Sequence, residues 1–158
     1  MKQRFTSKQT SINSTKAPAV YSMKRAVNVM TGKTVVDIGG GRFDTAAEAA
    51  RVYGAAVSIY DPFNRTPEHN AAVLAGSYDV AVISNVLNVI DSKAARGDVV
   101  RLAATKAAAL LITVYEGDGS GTGRQTAADS WQETGAPLII WTKSPPLSRV
   151  GMLPGLVV

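Results

Sequence analysis

The stretch Val35-Val36-Asp37-Ile38-Gly39-Gly40-Gly41 decides the fold of this chain. An apolar run that contains one acidic residue and ends in three glycines is typical of a buried strand entering a tight turn. Glycine suits such a turn because it has no Cβ and accepts positive φ angles, so the backbone can approach a ligand closely. A second apolar strand, Ala56–Tyr60, is followed by Asp61. A glycine turn after one strand and a carboxylate after the next predict a site for a nucleoside-like ligand, with the carboxylate on its ribose hydroxyls.

Apolar strands alternate with helical patterns along most of the chain. The strands are continuously apolar, as in Val80–Ile83, which indicates burial on both faces of a sheet. The predicted strands span 34–38, 56–60, 78–86 and 108–115, and the predicted helices span 19–30, 45–53, 67–74 and 92–106. The predicted helix caps are Asp44 or Thr45, Thr66 before Pro67, and Asp91 or Ser92. We therefore predict an α/β fold, a Rossmann-like open, mainly parallel sheet with helices on both faces.

Polar and glycine-containing segments follow the carboxyl ends of the predicted strands. These segments are 39–43, 61–65, 84–88 and 115–125. Ligands of open α/β sheets bind at this edge, and parallel strands all end there. We therefore expect the four segments to converge on one site.

Length and composition indicate one globular domain. The 158 residues are 46% hydrophobic and 18% charged, which is enough to bury a core. Cysteine is absent, which excludes disulfides, thiolate metal sites and cysteine nucleophiles, and we predict no metal site. No apolar run has the length of a membrane span, and the first residues lack the apolar core of a signal peptide. These features predict a cytoplasmic protein that does not bind a membrane.

The positive charge is concentrated at the start of the chain. Of 17 basic residues, seven precede Asp37, whereas all 12 acidic residues lie at or after it. The seven are Lys2, Arg4, Lys8, Lys16, Lys24, Arg25 and Lys33. We interpret residues 1–18 as a flexible basic arm, which can bind nucleic-acid phosphates. The alternative is a solvated leader without a specific partner.

The glycine pattern separates two kinds of nucleotide ligand. A dinucleotide-binding turn reads Gly-x-Gly-x-x-Gly, but here Asp44 stands where the third glycine would pack a helix against a strand. Asp37, two residues before the first glycine, is unfavourable beside a pyrophosphate and favours a cationic ligand that carries an amino acid. S-adenosylmethionine has a sulfonium, an α-amino group and a ribose, and therefore fits this pattern.

The same stretch resembles the first motif of the class I S-adenosylmethionine-dependent methyltransferases, and Asp61 matches their ribose-binding acid. Three further stretches are similar to a group of small phage-type methyltransferases, namely Tyr60–Thr66, Ser84–Ile90 and Thr113–Asp118. Residues 85–90 are also similar to methyltransferases associated with DNA phosphorothioation. The resemblance runs from about Ile12 to Trp131, so we expect the cofactor-binding domain to span 19–132. It implies the class I methyltransferase fold and S-adenosylmethionine as cofactor, and leaves the methyl acceptor open.

The resemblance implies cofactor-binding roles at three strand ends. Asp37 and the glycines Gly39, Gly40 and Gly41 would line the methionine end of the cofactor. Asp61 would bind the ribose, and Pro62 and Phe63 would flank the adenine. Asp61 has a structural alternative, because an aspartate before proline also forms turns through its own side chain.

Residues for chemistry are expected at the ends of the third and fourth strands. Ser84, Asn85 and Asn88 would lie under the sulfonium and face the acceptor, although the two asparagines also suit turn or cap hydrogen bonds. Methyl transfer mainly requires alignment of donor and acceptor, and a general base is needed only when the acceptor must lose a proton. The candidate bases are Tyr115, Glu116 and Asp118.

Acceptor binding is predicted beyond the fourth strand. Arg124, Gln125 and Trp131 would hold the acceptor, and the alternative is a surface loop anchored by the tryptophan. His69, at the start of a predicted helix, is not expected to be catalytic. The third strand does not end in Asn-Pro-Pro-Tyr or Asp-Pro-Pro-Tyr, the pattern of base-amino DNA methyltransferases, which argues against that reaction.

The segment 133–158 does not follow the pattern of the related proteins. A class I methyltransferase would continue with a helix and an antiparallel strand pair, and Pro145-Pro146 fits inside neither. One hypothesis is a change of reading frame at about Glu133. Residues Leu138–Lys143 can be encoded so that another frame reads as the start of a helix, and a stop codon in that frame would refute the hypothesis. A shifted chain would lack its last sheet elements and leave an edge strand poorly covered.

Three functions are compatible with these features. The first is an S-adenosylmethionine-dependent methyltransferase, with nucleic acid as the first candidate acceptor and a small metabolite as the second. Another is a protein that binds S-adenosylmethionine without transferring its methyl group, such as a sensor or a cofactor-sequestering antirestriction factor. A nucleotide-sugar or dinucleotide enzyme is the third, which the glycine pattern disfavours. Fold alone does not decide among them.

Overall fold

The structure is a computed structural model that describes residues 15–90, 93–114, 124–127, 130–132, 138–142 and 148–150. After Val114 the description covers the backbone alone. Most of the predicted basic arm, the predicted caps Asp91 and Ser92, and the candidate bases Tyr115, Glu116 and Asp118 lie outside these residues.

Four helices and eight strands are found in the described residues. The helices are α1 (Lys24–Met30), α2 (Thr45–Ala50), α3 (Pro67–Ala75) and α4 (Lys93–Lys106). The strands are β1 (Thr34–Ile38), β2 (Ala56–Tyr60), β3 (Tyr78–Ser84), β4 (Ala107–Thr113), β5 (Arg124–Ala127), β6 (Ser130–Gln132), β7 (Leu138–Thr142) and β8 (Ser148–Val150). Three short 3-10 turns accompany them, at Ala19–Tyr21, Arg51–Tyr53 and Leu87–Val89.

The main sheet has the order β2-β1-β3-β4-β7-β8. Its first four strands are parallel, and Asp37 in β1 lies opposite Ile59 in β2 and Val82 in β3. The chain first places β2 on one side of β1 and then returns to place β3 on the other side. The strand order therefore reverses between β1 and β3, which is the position where open α/β sheets form a ligand crevice. The predicted α/β architecture with a parallel sheet, compatible with a Rossmann-like fold, is confirmed.

Each face of the parallel sheet packs against its own pair of helices. On one face, Val35, Val80 and Val82 are buried with residues of α1 and α2, including Met30 and Ala46. On the other face, residues 36, 38, 81 and 83 are buried with Val73 of α3 and Ala103 of α4. Successive side chains of a strand point to opposite faces, so burial on both faces explains the continuously apolar sequences.

Local signals placed most element boundaries within two residues. The hydroxyl of Thr66 accepts a hydrogen bond from His69 N, which confirms the predicted cap of α3 with Pro67 as its first residue. Gly54 ends the turn after α2 with a φ of 73°. Asp44 occupies the cap position of α2 but makes no capping hydrogen bond there, because its carboxylate contacts Arg65 instead.

The single helix predicted for residues 19–30 is divided in two. The 3-10 turn ends at Tyr21, and Met23 has an extended ψ of 118° before α1 begins. The hydroxyl of Ser22 donates to the carbonyl of Ala19, a local bond that competes with helix continuation. The break matters because it lets Tyr21 lie buried beside the end of β1.

The region after β4 contains strands that were not predicted from the sequence. Residues 124–127 form β5, which pairs antiparallel with β6. β7 pairs antiparallel with β4 and β8 with β7, so β4 is not an edge of the sheet. Pro145 and Pro146 lie outside the described residues, between these two strands. The change of reading frame stays a prediction, which the nucleotide sequence tests.

Candidate functional site

The glycine turn after β1 has a backbone that only glycine adopts without strain. Gly39 and Gly41 have φ angles of 82° and 78°. A Cβ at position 39 would lie 2.6 Å from Cγ2 of Val86, and a Cβ at position 40 would lie 2.9 Å from Cγ of Asp37. The turn is therefore packed between the end of β3 and the carboxyl group of Asp37.

Asp61 organises the loop that follows β2. Its Oδ1 accepts hydrogen bonds from Phe63 N, Asn64 N and Asn64 Nδ2, and its Oδ2 accepts one from Gly41 N at 2.9 Å. The main chain of Asp61 also bonds Asn70, which donates from Nδ2 and accepts at Oδ1. Only 5% of Asp61 is exposed. The carboxylate thus ties its own loop to the glycine turn.

Arg65 holds the other side of the same turn. Its Nε donates a 2.8 Å hydrogen bond to the carbonyl oxygen of Gly41. Its Nη2 lies 2.9 Å from Oδ1 of Asp44, an ion-pair contact that lacks hydrogen-bond geometry. Gly41 is therefore clamped through its N–H by Asp61 and through its carbonyl by Arg65.

A buried carboxyl group lies beneath the turn. Asp37 is 1% exposed, and its Oδ2 accepts a 2.7 Å hydrogen bond from the hydroxyl of Tyr21. Burial raises the pKa of Asp37 to about 6; the bond from Tyr21 acts to lower it, and the charge of Asp61 acts to raise it. Burial, followed by the neighbouring Asp37, raises the pKa of Tyr21 well above its ordinary value. The tyrosine therefore stays a neutral donor while Asp37 is mostly ionised at pH 7.

The ends of β3 and β4 are joined by two hydrogen bonds. Thr113 Oγ1 donates to Ser84 Oγ at 2.9 Å, and the N–H of Asn85 donates to the carbonyl of Thr113 at 2.8 Å. Asn85 has a φ of 57°, the left-handed conformation that asparagine adopts more readily than most residues. Because Ser84 Oγ accepts from Thr113, its own proton remains available to donate at the carboxyl edge.

Of the remaining predicted residues, Pro62, Phe63 and Asn88 follow strand ends at the same edge. Pro62 is exposed, Phe63 is 43% exposed, and Asn88 is half-buried in the turn at Leu87–Val89. Tyr115 and Glu116 are outside the described residues. Arg124, Gln125 and Trp131 belong to the β5–β6 hairpin, where position 125 pairs with position 131, but their side chains are also outside the description.

His69 contacts the main chain of β2. Its Nε2 is 2.7 Å from the carbonyl oxygen of Ile59, a main-chain group of the edge strand β2. This contact ties α3 to β2. The structure thus provides a structural reason for a histidine that the sequence analysis did not expect to be catalytic.

Four residues of the site were not found by sequence analysis. Tyr21, Arg65, Asn70 and Thr113 each bond a partner that is distant in the chain or on another element. No short motif marks such partners. The one available signal was position, because Arg65 and Thr113 both lie at strand ends that converge on the site.

Within the described part of the chain, no three His, Asp or Glu side chains are grouped closely enough to hold a metal ion. No helix of the described residues is both long and apolar enough to cross a membrane.

Comparison of the chain with protein-family models, with curated proteins and with solved structures found no match. The function proposed below therefore depends on the geometry of the strand ends and on the chemistry of their residues.

Proposed function

We propose that this protein is an S-adenosylmethionine-dependent methyltransferase with the class I methyltransferase fold. The observation that carries the proposal is the glycine turn at Gly39–Gly41, which lies at the sheet's switch point and is clamped by the loop after β2. Backbone at such a switch point is where open α/β sheets receive nucleotide-like ligands. Nucleic acid is the first candidate acceptor and a small metabolite the second.

Asp37 supports a cationic cofactor over a dinucleotide. Its carboxyl group lies under Gly40 and is mostly ionised at neutral pH, since its pKa is about 6. A sulfonium or an α-amino group near this carboxylate would offset the cost of its burial, whereas a pyrophosphate would be repelled. The chemistry of this buried acid therefore fits S-adenosylmethionine.

One carboxylate oxygen of Asp61 can accept a further hydrogen bond, as from a ribose hydroxyl. Its Oδ1 already accepts three hydrogen bonds, but Oδ2 accepts only the one from Gly41 N among the bonds of the described residues. A carboxylate oxygen can accept more than one hydrogen bond, as Oδ1 does here. In this proposal Oδ2 holds the ribose while Oδ1 keeps the loop in shape, and Pro62 and Phe63 flank the adenine.

Residues at the ends of β3 and β4 would align the acceptor. When bound, S-adenosylmethionine supplies a methyl group on a sulfonium, activated for in-line displacement. The hydroxyl of Ser84, which accepts a hydrogen bond from Thr113, can donate one to the acceptor. Asn85 has a left-handed backbone conformation at the turn that leads to Asn88. The protein's task is alignment and exclusion of water, which suits these polar but uncharged groups.

A second candidate function is binding of S-adenosylmethionine without transfer. Its specific support is that β2 is an edge of the sheet and α3 is the only helix between β2 and β3. Among the described residues there is thus no further strand or separate unit on that side for an acceptor. A sensor or a cofactor-sequestering protein would need only the cofactor half of the site.

Titration calorimetry with S-adenosylmethionine tests the cofactor. We expect binding in the micromolar range, weaker binding of S-adenosylhomocysteine, which lacks the sulfonium charge, and none of NAD. In Asp37→Asn the preference for the charged cofactor should be lost, while Asp79→Asn, at an exposed carboxylate on the opposite edge, should retain it. Binding of NAD at similar affinity, or no binding by a folded protein, would overturn the proposal.

Transfer of a labelled methyl group separates the two candidates. The wild-type protein is incubated with methyl-labelled S-adenosylmethionine and either nucleic acid or a metabolite extract. Label in an acceptor supports the methyltransferase. Tight cofactor binding without a labelled product in any acceptor supports the binding protein instead.

A further inference from the structure

Exposed charges are unequally distributed between the two helical layers. Among side chains that the structure describes, the layer of α1 and α2 with its flanking turns has six exposed cations and two exposed carboxylates. The cations are Lys16, Lys24, Arg25, Lys33, Arg42 and Arg51, and the carboxylates are Asp44 and Glu48. The exposed charges of the α3 and α4 layer and the start of β3 are Arg101, Glu68, Asp79 and Asp98. Among the described side chains, the layer of α1 and α2 is therefore basic, whereas the layer of α3 and α4 is not.

Of the seven basic residues that precede Asp37, the three that follow the predicted arm belong to the folded domain. Lys24 and Arg25 are part of α1, and Lys33 lies in the turn that enters β1. Their positions are fixed by packing of Ala26 and Met30 in the core. The folded domain itself thus presents a positive surface.

Three of the cations lie at the edge that holds the glycine turn. α1 ends at Met30, next to the amino end of β1, so its first turn lies toward the carboxyl end of that strand. The hydrogen bond from Tyr21 to Asp37 fixes this placement. Lys24 and Arg25 are consequently at the same edge as Arg42, which directly follows Gly41.

Within the described residues, no carboxylate forms an ion pair with Lys24, Arg25 or Arg42, whereas the neighbouring Asp44 is engaged by Arg65. Cations without internal partners attract a polyanion and release its counterions when they bind it.

An aromatic side chain directly follows one of these cations in the chain. Phe43 follows Arg42 and is 37% exposed, although a phenylalanine normally gains stability by burial. A basic surface combined with an exposed aromatic ring is how proteins bind single-stranded nucleic acid, since the cations follow the phosphates and the ring stacks on a base.

We propose that Lys24, Arg25, Arg42 and Phe43 bind single-stranded nucleic acid next to the glycine turn. Lys24, Arg25 and Arg42 contact the phosphates, and Phe43 stacks on one base. This surface would make the bound single-stranded nucleic acid the methyl acceptor, and that part of the inference rests on the proposed function. The binding of the nucleic acid itself requires no cofactor.

Binding is measured by fluorescence anisotropy with a mixed-sequence oligonucleotide of about 20 nucleotides, as DNA and as RNA, over a range of salt concentrations. The test variant is Lys24→Gln with Arg25→Gln. The matched control is Lys33→Gln with Arg51→Gln, which removes the same charge from the same layer at the opposite edge. Both variants keep residues 1–18, so any contribution of the arm is common to them.

We expect the test variant to weaken binding about tenfold and to reduce the slope of log affinity against log salt by about 1.4, as for two lost phosphate contacts on a single strand. The control should change affinity by about twofold at most, because its charges lie far from the strand. Phe43→Leu should weaken single-strand binding about fivefold and leave duplex binding unchanged. Equal effects of the two double variants would overturn the proposal.

Two competitors complete the test. An equimolar unlabelled duplex of the same sequence, or vesicles that contain anionic lipid, should displace the labelled oligonucleotide less than an equimolar unlabelled single strand does; equal displacement by either would overturn the single-strand assignment. Calorimetry with S-adenosylmethionine is done on the same samples. If the protein binds the cofactor but not the oligonucleotide, this inference alone is refuted. If it binds the oligonucleotide but not the cofactor, the methyltransferase proposal alone is refuted.

Discussion

The hydroxyl of Tyr21 donates a 2.7 Å hydrogen bond to the buried carboxyl group of Asp37, across 16 positions of the chain. The bond joins the turn before α1 to the strand that carries the glycine turn. Because Asp37 lies under Gly40, Tyr21 helps to determine the charge beneath the candidate cofactor site. The Tyr21–Asp37 hydrogen bond therefore bears on the stability of the fold, on the pKa of Asp37 and on the proposed cofactor site.

Replacing Tyr21 with phenylalanine should destabilise the protein by about 1–3 kcal/mol at neutral pH, because the buried carboxylate loses a donor. The pKa of Asp37 should rise further, since the tyrosine bond acts to lower it. Urea unfolding followed by circular dichroism measures the first effect.

Tyr53→Phe is the matched control for that variant. The hydroxyl of Tyr53 is buried and has no hydrogen-bond partner within the described residues. Its removal should not lower the free energy of unfolding, because a buried hydroxyl without a partner contributes no stabilising bond. Equal losses in the two variants would show that packing, and not the bond to Asp37, accounts for the effect of Tyr21.

Stability should fall as the pH rises from about 4 to about 6, because the pKa of Asp37 is about 6 in the folded protein and about 3.9 in the unfolded chain. In this window the folded protein holds a proton that the unfolded chain has released. The expected contribution is about 3 kcal/mol, lost by about pH 6 and constant above it. Urea titrations of wild type and Asp37→Asn across this range measure the difference.

Asp79 provides a control for the pH experiment, because its pKa is lowered where that of Asp37 is raised. Hydrogen bonds from the backbone and side chain of Thr34 lower its pKa, so its contribution is present at neutral pH and is lost as the pH falls. Asp79→Asn should therefore keep the fall in stability between about pH 4 and about 6 that Asp37→Asn removes. A pH profile of Asp37→Asn identical to that of wild type would contradict the assigned pKa.

The elements could be predicted because their signals are local. Thr66 and Pro67 mark a helix start, Gly54 marks a helix end, and the apolar runs mark strands buried on both faces. The glycine turn could be placed at the edge of the sheet because a turn that follows a parallel strand has no other position. The fold class followed from these features.

The contacts within the site could not be predicted in the same way. Arg65 reaches Gly41 across 24 positions, and Thr113 reaches Ser84 across 29. Such pairs form only when the strands have a particular order in the sheet. The spacing of apolar and polar residues along the chain does not specify that order. The break at Ser22 was missed for a related reason, because the apolar spacing of residues 19–30 continues through it.

Substituting alanine for Gly39 should destabilise the protein through two separable effects. A φ of 82° costs about 1–2 kcal/mol for a residue with a Cβ, and the overlap with Val86 adds about 1–3 kcal/mol. Gly32→Ala should cost only the first amount, because its φ is 68° and no atom lies within 4 Å of the added Cβ.

Removing Val86 should rescue the overlap. In the Val86→Ala background, Gly39→Ala should cost no more than Gly32→Ala costs in wild type, which a double-mutant cycle of unfolding free energies measures. If the two substitutions lower the free energy of unfolding additively, the side chain of Val86 moves aside for the added Cβ in wild type. The packing of the glycine turn against Val86 would then be looser than the structure indicates.

Substituting lysine for Arg65 should weaken the binding of S-adenosylmethionine about tenfold, because one ammonium group cannot replace the planar guanidinium that contacts both Gly41 and Asp44. Arg51→Lys, at an exposed position, should bind like wild type. Amide hydrogen exchange gives a readout that needs no cofactor, since the N–H of Gly41 should exchange faster once its carbonyl is released. Faster exchange with unchanged cofactor affinity would show that the clamp serves the fold and that the ligand does not contact Gly41.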